Sequence, residues 1–496
     1  MNDPVTNFAI NFIAFVGIVF LVLFAIVVVV ALVLYQIDKH QTTQTIRRNY
    51  PLIGRFRYIF EHIGEFFRQY FFAMDREEMP FNRAQRSWVY RAAKNVDSTI
   101  AFGSTRDLRI PGTYYFLNCA FPMLQEDAVQ TESLRIGPYC DKPYDAPSFF
   151  NISGMSYGAM SKPAVQALAK GAKKAGCWMN TGEGGLSSFH LDSGCDIVYQ
   201  IGTAKYGLRD SHGKLSEEKL KEKAELQQVK MFEIKLSQGA KPGKGGILPG
   251  GKVTAEIAAV RGIPVGEDSI SPNRHPDVAS ISDLLDMVER IRRVTGKPCG
   301  FKMVLGDTEW LDEFCEAILE RGLESAPDFI TLDSADGGTG AAPMPLMDSV
   351  GLPLRESLPI LVNKLMAHDL RDRIRVIASG KLINPTDVAA ALCMGADFVV
   401  TGRGFMFALG CIQALQCNKN TCPTGITTHD PDLQRGLVPE VKADRVANYH
   451  NHLVHEVEII AHSCGVTEPR KLKRKHCAIV VEGSRSIPLN ILYPEY

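Results

Sequence analysis

Short apolar runs alternate with segments of helical periodicity from about Ser148 onward. The apolar runs that predict buried strands are Phe149–Ile152, Trp178–Asn180, Val229–Lys235, Gly300–Val304, Phe329–Leu332, Val376–Ala378 and Phe398–Thr401. The predicted helices are Lys162–Ala175, Ser216–Glu225, Thr254–Val260, Ser280–Val294, Thr308–Arg321, Leu354–His368, Thr386–Met394 and Gly410–Gln416. One unbroken β-then-α alternation of this length favours a (β/α)8 TIM barrel, an α/β fold, over a doubly wound sheet. No G-x-G-x-x-G pattern opens a helix, which weakens the alternative of a Rossmann sheet.

The N-terminal pattern is different, because residues 12–35 are uncharged and almost wholly apolar. This run exceeds the length that a helix needs to cross a bilayer, and its leader lacks the basic start of a secretory signal. Basic residues follow it at Lys39, Arg47, Arg48, Arg55 and Arg57. The positive-inside rule therefore predicts a single-pass anchor in the cytoplasmic (inner) membrane, with the catalytic body in the cytoplasm.

Four segments follow from these patterns. We expect a transmembrane anchor over 1–40, a juxtamembrane and lead-in segment over 41–147, the barrel over 148–436 and a C-terminal extension over 437–496. Residues 46–72 interleave aromatic side chains with arginines at roughly helical spacing. Such a stretch either lies along a membrane surface or packs its aromatic face on the main domain.

Composition narrows the classes of function. The 496 residues carry a net charge of zero, so nothing in the charge favours binding to nucleic acid. Twelve cysteines in a chain of this length are not a disulfide framework, and buried free thiols fit a reducing compartment.

Three of those cysteines lie close together at C-x5-C-x4-C spacing: Cys411, Cys417 and Cys422, the last followed by Pro423. Three thiolates in one short segment could hold an iron–sulfur cluster, and a Cys-Pro ending is typical of cluster loops. The spacing alone leaves the alternative of structural core thiols about equally open. A fourth nearby cysteine is missing, which suits a three-iron cluster better than a four-iron one.

Glycine-rich turns follow the last two predicted strands of the barrel. Gly380 with Lys381, and Gly402 with Arg403, combine free backbone amides with a cation where TIM barrels bind phosphate. Lys302 lies inside an apolar strand and would be costly to bury unpaired. It either contacts a cofactor or pairs with a barrel carboxylate such as Asp333.

Several longer motifs resemble the synthase domain of glutamate synthase, in order and spacing, over roughly residues 150–435. They are Asn180-Thr-Gly-Glu-Gly-Gly185, Lys235-Leu-Ser-Gln-Gly-Ala-Lys-Pro-Gly-Lys-Gly-Gly246, Asp336-Gly-Gly-Thr-Gly-Ala341, Leu409-Gly-Cys411 and Asn420-Thr-Cys-Pro423. The resemblance implies a (β/α)8 barrel that holds FMN and a 3Fe-4S cluster. It also implies formation of L-glutamate from 2-oxoglutarate, ammonia and reducing equivalents.

The resemblance assigns roles residue by residue. It implies cluster ligands at Cys411, Cys417 and Cys422, and flavin contacts at Ser153, Met155, Ser156, Gln200, Lys302, Gly380, Lys381, Gly402 and Arg403. It implies that Gln238, Lys241 and Arg261 hold 2-oxoglutarate, with Lys241 and Glu183 as the catalytic pair. Glu183 would interact with ammonia or ammonium. The alternative role for Glu183 is a structural one, in which its carboxylate caps backbone amides. The alternative for Lys241 is that it lies in a solvated loop without a role in binding.

Departures from the family pattern leave part of the function open. We expect no glutaminase or NAD(P)H-binding half in this chain, so ammonia and electrons come from partners, or free ammonia and ferredoxin are used. The segment Asp333-Ser-Ala, before Asp336, also differs from the family, which bears on the identity of the amine and acceptor. The alternatives are another FMN amino-acid oxidoreductase, such as an N-methylglutamate synthase subunit, and a membrane-tethered electron-transfer flavoprotein without a substrate of its own.

Overall fold

The computed structural model describes residues 4–129 and 131–495. The chain divides into two compact units, Met1–Ala84 and Gln85–Tyr496. The first unit is helical, with helices at Pro4–His40, Thr45–Asn49 and Gly54–Phe67 and a π-helical turn at Arg68–Phe72. By its length and composition, the stretch Asn7–His40 could cross a membrane.

The second unit contains a closed barrel of eight parallel strands. Their bounds are Phe150–Ile152, Met179–Asn180, Ile197–Ile201, Val229–Lys235, Cys299–Met303, Phe329–Asp333, Arg375–Ser379 and Phe398–Thr401. Each strand pairs with the next one along the chain, and the last pairs with the first through Thr401 and Ile152. This closure confirms the predicted (β/α)8 barrel. The third strand, Ile197–Ile201, was absent from the sequence prediction because it follows a short loop without a clear boundary.

Helices follow the strands around the outside of the barrel. They lie at Lys162–Ala175, Ser188–Leu191, Glu217–Glu225, Ala255–Arg261, Ile281–Thr295, Trp310–Arg321, Met344–Ser349, Leu354–Ala367, Pro385–Cys393 and Arg403–Leu409. The predicted helix Gly410–Gln416 is wrong. The helix after the eighth strand begins at Arg403 and ends at Leu409, because Gly410 adopts a left-handed conformation (φ +111°) and the chain continues as a loop.

The helix boundaries have local causes that the sequence carries. The hydroxyl of Ser161 accepts a hydrogen bond from the backbone of Ala164 and caps the first barrel helix, which ends at the left-handed Gly176. Ser280 caps Ile281–Thr295 in the same way, and Gly296 ends that helix. These caps explain why most predicted helices match the observed ones to within one or two residues.

Segments outside the barrel close its N-terminal end. The hairpin of Leu134–Ile136 and Tyr144–Ala146 packs on a buried cluster that includes Trp178, Phe329 and Phe398 from inside the barrel. The hydroxyl of Tyr144 also donates to Asp196, just before the third strand, at 2.9 Å. With this end closed, the C-terminal ends of the strands are left as the open mouth of the barrel.

The C-terminal region packs against the outside of the barrel through a long helix and also contributes to a small separate sheet. The helix Pro439–Ser463 packs along Lys162–Ala175, where a Cβ at Gly171 would lie 2.4 Å from Val446. The strands Tyr114–Phe116, Cys477–Val480 and Ser486–Pro488 form a separate antiparallel sheet. The remaining short elements are the strand pair Ile247–Leu248 and Ser269–Ile270, the helices Arg83–Ala93, Pro431–Gln434 and Leu489–Leu492, and 3-10 turns at Gln125–Asp127, Gly250–Lys252, Leu323–Ser325, Pro469–Lys471, Arg474–His476 and Glu482–Ser484.

Candidate functional site

A cleft of about 360 Å³ lies at the C-terminal ends of the barrel strands. It is lined by all the predicted substrate and flavin residues, namely Ser153, Met155, Ser156, Glu183, Gln200, Gln238, Lys241, Arg261, Lys302, Gly380, Lys381, Gly402 and Arg403. Cys417 lines it as well, whereas Cys411 and Cys422 lie outside its lining. Residues separated by up to 250 positions in sequence are thus brought to one mouth of the barrel.

The floor of the cleft is made of glycines and small side chains at the end of the first strand. A Cβ at Gly154 would lie 2.9 Å from both the Asn180 Oδ1 and the Gln200 Nε2 atoms. At Gly182, where φ is +64°, a Cβ would lie 2.5 Å from the backbone nitrogen of Ser156. The backbone at Gly154 therefore lies directly against the side-chain amides of Asn180 and Gln200, and the backbone at Gly182 lies against that of Ser156. Because these glycines add no side chain to the floor, a flat ring can approach it.

Lys302 projects into the cleft from the fifth strand. Its Nζ lies 2.9 Å from the Oδ2 of Asp333, so the ion pair considered from the sequence is present. Burial opposes the charged form of Lys302, but the carboxylates of Asp333 and Glu233 outweigh it and raise the pKa of Lys302 above its ordinary value. The ammonium therefore stays charged while it faces the cleft.

Glu233, which the sequence reasoning missed, organises the layer beneath the floor. Its Oε1 accepts hydrogen bonds from Asn180 Nδ2 (2.8 Å) and Gln200 Nε2 (2.7 Å). Its Oε2 accepts from Thr331 Oγ1 at 2.6 Å, and the whole side chain is buried. One of the two N–H groups of the Gln200 amide is thereby committed to Glu233, and the second N–H and the amide oxygen remain for a ligand. The signal that could have found it is an acidic residue between the apolar Phe232 and Ile234 of a predicted strand.

Lys241 and Arg261 bring two cations into the cleft. The side chain of Lys241 is buried, and its ammonium has no hydrogen bond or ion pair with any residue that the structure describes. Burial and the neighbouring Lys235 lower the pKa of Lys241 below the ordinary value. A buried lysine without a protein partner is costly, so an anion in the cleft is its natural counterpart.

Arg261 is held from two sides. Its Nη1 donates to Ser269 Oγ (3.1 Å), its Nη2 donates to the carbonyl of Tyr157 (3.3 Å), and its guanidinium lies over the ring of Tyr206. Its buried Nε has no partner among the described residues. Burial lowers the pKa of Arg261, although the group remains a cation at neutral pH. Gln238, the third predicted substrate residue, donates to Thr339 Oγ1 at 3.0 Å.

Glu183 lies opposite these cations, wedged between two glycines. A Cβ at Gly202 would lie 2.6 Å from the Cβ of Glu183, and one at Gly246 would lie 2.4 Å from its Oε1. The carboxylate pairs with Lys235 Nζ at 2.9 Å, a partner that the sequence reasoning did not name. Burial alone would raise the pKa of Glu183, but the charge and hydrogen bond of Lys235, with Lys241 and Arg261 nearby, lower it.

The two expected phosphate turns adjoin at the ends of the seventh and eighth strands. Gly380 has a φ of +111°, and a Cβ there would lie 2.4 Å from that of Ser334. Lys381 pairs with Asp336 Oδ2 at 2.8 Å. Gly402 is the N-cap of the helix Arg403–Leu409, so the turn after the eighth strand leads directly into a helix.

The side chain of Arg403 points toward the cysteine loop. Its Nη2 donates to the carbonyl of Thr339, and its Nη1 lies 3.7 Å from the sulfur of Cys417. It therefore stands between the phosphate turns and the cysteines, with a contact to each side of the cleft.

The three cysteines lie in the loop that replaces the predicted helix. Burial raises the pKa of Cys411 to about 11, with Arg403 opposing, whereas the hydroxyls of Thr424 and Thr427 outweigh burial and lower the pKa of Cys422. Over residues 4–129 and 131–495, no group of three or more His, Cys, Asp or Glu side chains is gathered tightly enough to hold a metal ion. An iron–sulfur cluster binds each thiolate through a different iron, so its ligands stand farther apart than those of a single ion.

Lys252, another residue missed by the sequence reasoning, ties this loop to the barrel. Its buried Nζ donates to the carbonyls of Thr427 (2.9 Å), Ala159 (3.2 Å) and Cys417 (3.3 Å). Burial lowers its pKa to about 8. Arg403 and Lys252 thus both contact Cys417, the first at its sulfur and the second at its carbonyl.

Comparison with known proteins gives consistent matches. The conserved region that defines the glutamate synthase family matches residues 122–467. The glutamate synthase large subunit-like protein YerD of Bacillus subtilis is 39% identical over 511 residues, covering 95% of this chain and 97% of that protein. The archaeal glutamate synthase [NADPH] of Methanocaldococcus jannaschii is 37% identical over 324 residues; the match covers 65% of this chain and 60% of that longer protein.

Among solved structures, the flavin-binding domain of baker's yeast flavocytochrome b2 is 15% identical, covers 82% of this chain and 83% of that chain, and has a TM-score of 0.45. The barrel assignment rests on the strand pairings described above and not on this distant likeness. The family match spans well over half of the chain and contains the whole barrel. The chain therefore belongs to the glutamate synthase family.

Proposed function

We propose that this protein is a glutamate synthase-like flavoenzyme that converts 2-oxoglutarate and ammonia, through 2-iminoglutarate, to L-glutamate. Membership of the family makes it an oxidoreductase. The observation that carries the specific reaction is the cleft itself. The ammonium of Lys241, which has no hydrogen bond or ion pair with any described residue, faces the same cavity as Arg261 and a glycine floor that a flat ring can approach.

FMN fits the cleft through three features of this chain. The floor at Gly154 admits an aromatic ring system, the amide oxygen of Gln200 can accept a hydrogen bond from it, and the adjoining turns at Gly380 and Gly402 can receive the phosphate. Lys302 would place a positive charge at the edge of the ring, where it stabilises a reduced anion. FMN, when bound, supplies the hydride-transfer chemistry.

The protein's own residues position the substrate. Arg261 can pair with one carboxylate of 2-oxoglutarate bidentately, and Lys241 with the other carboxylate or with the developing imine. Gln238 adds a hydrogen bond beside them. Glu183 stays ionised because its pKa is lowered, so it can attract ammonium and hold it near the substrate carbonyl.

The electron supply is the second part of the proposal. Cys411, Cys417 and Cys422 would hold a 3Fe-4S cluster, with Cys417 at the edge of the flavin cleft. The electrons would come from ferredoxin or from an NAD(P)H-oxidising subunit, and the ammonia from solution or from a separate glutaminase subunit. The helix Pro4–His40 would tether the enzyme to the cytoplasmic membrane, with the barrel in the cytoplasm.

An anaerobic assay of the full chain in detergent tests the reaction. The mixture contains dithionite-reduced dye or reduced ferredoxin, 2-oxoglutarate, and either ammonium or glutamine, and glutamate is measured directly. We expect glutamate from ammonium and none from glutamine alone. If flavin is bound but no glutamate forms, the proposed acceptor or amine is wrong. The assay is then repeated with methylamine and glutamate. An N-methylglutamate synthase would convert these substrates, whereas a pure electron carrier would not.

A further inference from the structure

Asp38 joins the apolar N-terminal helix to the segment that follows it. Its carboxylate lies near the end of Pro4–His40, is fully buried, and accepts five hydrogen bonds. Arg47 donates through Nε (2.9 Å) and Nη2 (2.6 Å), and Arg55 through Nε and Nη2 (both 2.7 Å). The backbone nitrogen of Leu52 donates the fifth at 3.1 Å. Two bidentate arginines on one carboxylate fix the orientation of the next helix relative to the apolar one.

That next helix, Gly54–Phe67 with its continuation Arg68–Phe72, is amphipathic. At helical spacing six large apolar side chains fall on one face, and all six are exposed: Phe56, Ile59, Phe60, Ile63, Phe67 and Tyr70. Tyr58 and Phe72 fall away from that face. The exposed fraction of Phe60 is 68%. The opposite face carries the ion pair of Arg57 and Glu61, at 2.7 Å, and Glu65. A contiguous exposed apolar face marks a surface that contacts a membrane or another protein.

The charge of the segment indicates what covers this face. Residues 41–72 contain five arginines and two glutamates, a net charge of +3. Gly54–Phe72 itself carries three arginines and two glutamates, a net charge of +1, and the rest of the positive charge precedes it at Arg47 and Arg48. An amphipathic helix within a basic segment, directly after an apolar helix, is typical of one that lies in the boundary between headgroups and acyl chains. The clamp at Asp38 holds it at the point where the apolar helix would leave the bilayer.

We infer that Gly54–Phe72 lies in the surface of the same membrane leaflet, with its aromatic face among the acyl chains of anionic phospholipids. The inference rests on the proposed membrane span, and it is independent of the flavin chemistry. The helix would fix the height and tilt of the first unit at the membrane.

Two tryptophan variants of the full chain test this placement. Phe60→Trp puts the fluorophore on the apolar face, and Glu61→Trp puts it one residue further, on the polar face. Both are incorporated into vesicles of phosphatidylcholine and phosphatidylglycerol, with and without lipids brominated high on the acyl chain. The three native tryptophans contribute equally to both variants and are subtracted with the parent protein.

We expect bromine quenching of Phe60→Trp to exceed that of Glu61→Trp by at least about twofold. Adding Asp38→Asn, which weakens the clamp, should reduce the quenching at position 60 while the protein still floats with the vesicles. Equal quenching of the two variants would show that the apolar face is not the side turned toward the acyl chains and would overturn the inference. A blue-shifted Phe60→Trp that lipid bromine does not quench would show that the face packs on protein instead. Failure of the parent protein to float would overturn the membrane span and this inference together, and leave the glutamate assay untouched.

Discussion

Replacing Lys241 with methionine tests how much its ammonium contributes to the binding of 2-oxoglutarate. Methionine keeps most of the length and volume of the side chain but removes its charge. In the unliganded protein this change is mild, because no described residue loses an ion pair with Lys241. With 2-oxoglutarate bound, it leaves a substrate carboxylate without its cation.

The expected loss of affinity for 2-oxoglutarate in Lys241→Met follows from the burial of the Lys241 side chain. Truncating one partner of a buried, hydrogen-bonded charge pair costs about 2–5 kcal/mol. Because the cleft is open to solvent on one side, we take the lower half, about 2–3 kcal/mol, which is about a 30- to 150-fold weaker affinity for 2-oxoglutarate.

The same loop offers a matched control. Lys244 lies three residues further along, is exposed, and carries the same charge. An exposed charge contributes about 0–1 kcal/mol, so Lys244→Met should weaken 2-oxoglutarate binding by less than about fivefold. The measurement is a calorimetric titration of the two FMN-loaded variants and the parent with 2-oxoglutarate, after flavin content has been equalised.

The pH dependence adds a second readout. The lowered pKa of Lys241 means that its ammonium loses its proton at a lower pH than an ordinary lysine does. The affinity for 2-oxoglutarate should therefore fall as pH rises, earlier than for a solvated lysine, and Lys241→Met should lack this decline. Similar affinities in the two methionine variants, or a loss of flavin that accounts for the whole effect, would refute the role of Lys241 in binding substrate.

Three further outcomes follow from the site. Cys417→Ser should remove most of the bound iron by elemental analysis, whereas the buried Cys315→Ser should not; unchanged iron in the first variant would contradict the cluster assignment. Lys302→Met removes a positive charge from the cleft and should make the flavin midpoint potential more negative in dye equilibration. Glu233→Gln removes a negative charge beneath the floor and should shift that potential the opposite way; shifts of the same sign would show that packing, and not charge, dominates.

Much of the chain could be read from local pattern alone. The alternation of apolar runs and capped helices is sufficient for the barrel, because strand burial and helix capping are encoded within a few residues, as at Ser161 and Gly176. The long motifs were sufficient to identify the family, and the continuous apolar run was sufficient to predict the N-terminal helix. The helix placed at Gly410–Gln416 failed because its apolar residues resemble a helix face, whereas the left-handed Gly410 ends the helix before them.

The tertiary structure decided what no local pattern contains. It is the closure of the barrel that brings Asn180, Gln200 and Thr331 from three strands onto the buried carboxylate of Glu233. It also gave Lys302 the carboxylate of Asp333, whereas the ammonium of Lys241 has no hydrogen bond or ion pair with any described residue. The sequence supplies the chemical types of these groups. Their pKa values and their unused hydrogen-bonding capacity depend on which charges lie within a few ångströms and on how much water remains around them. Only the packing of the folded chain sets those distances.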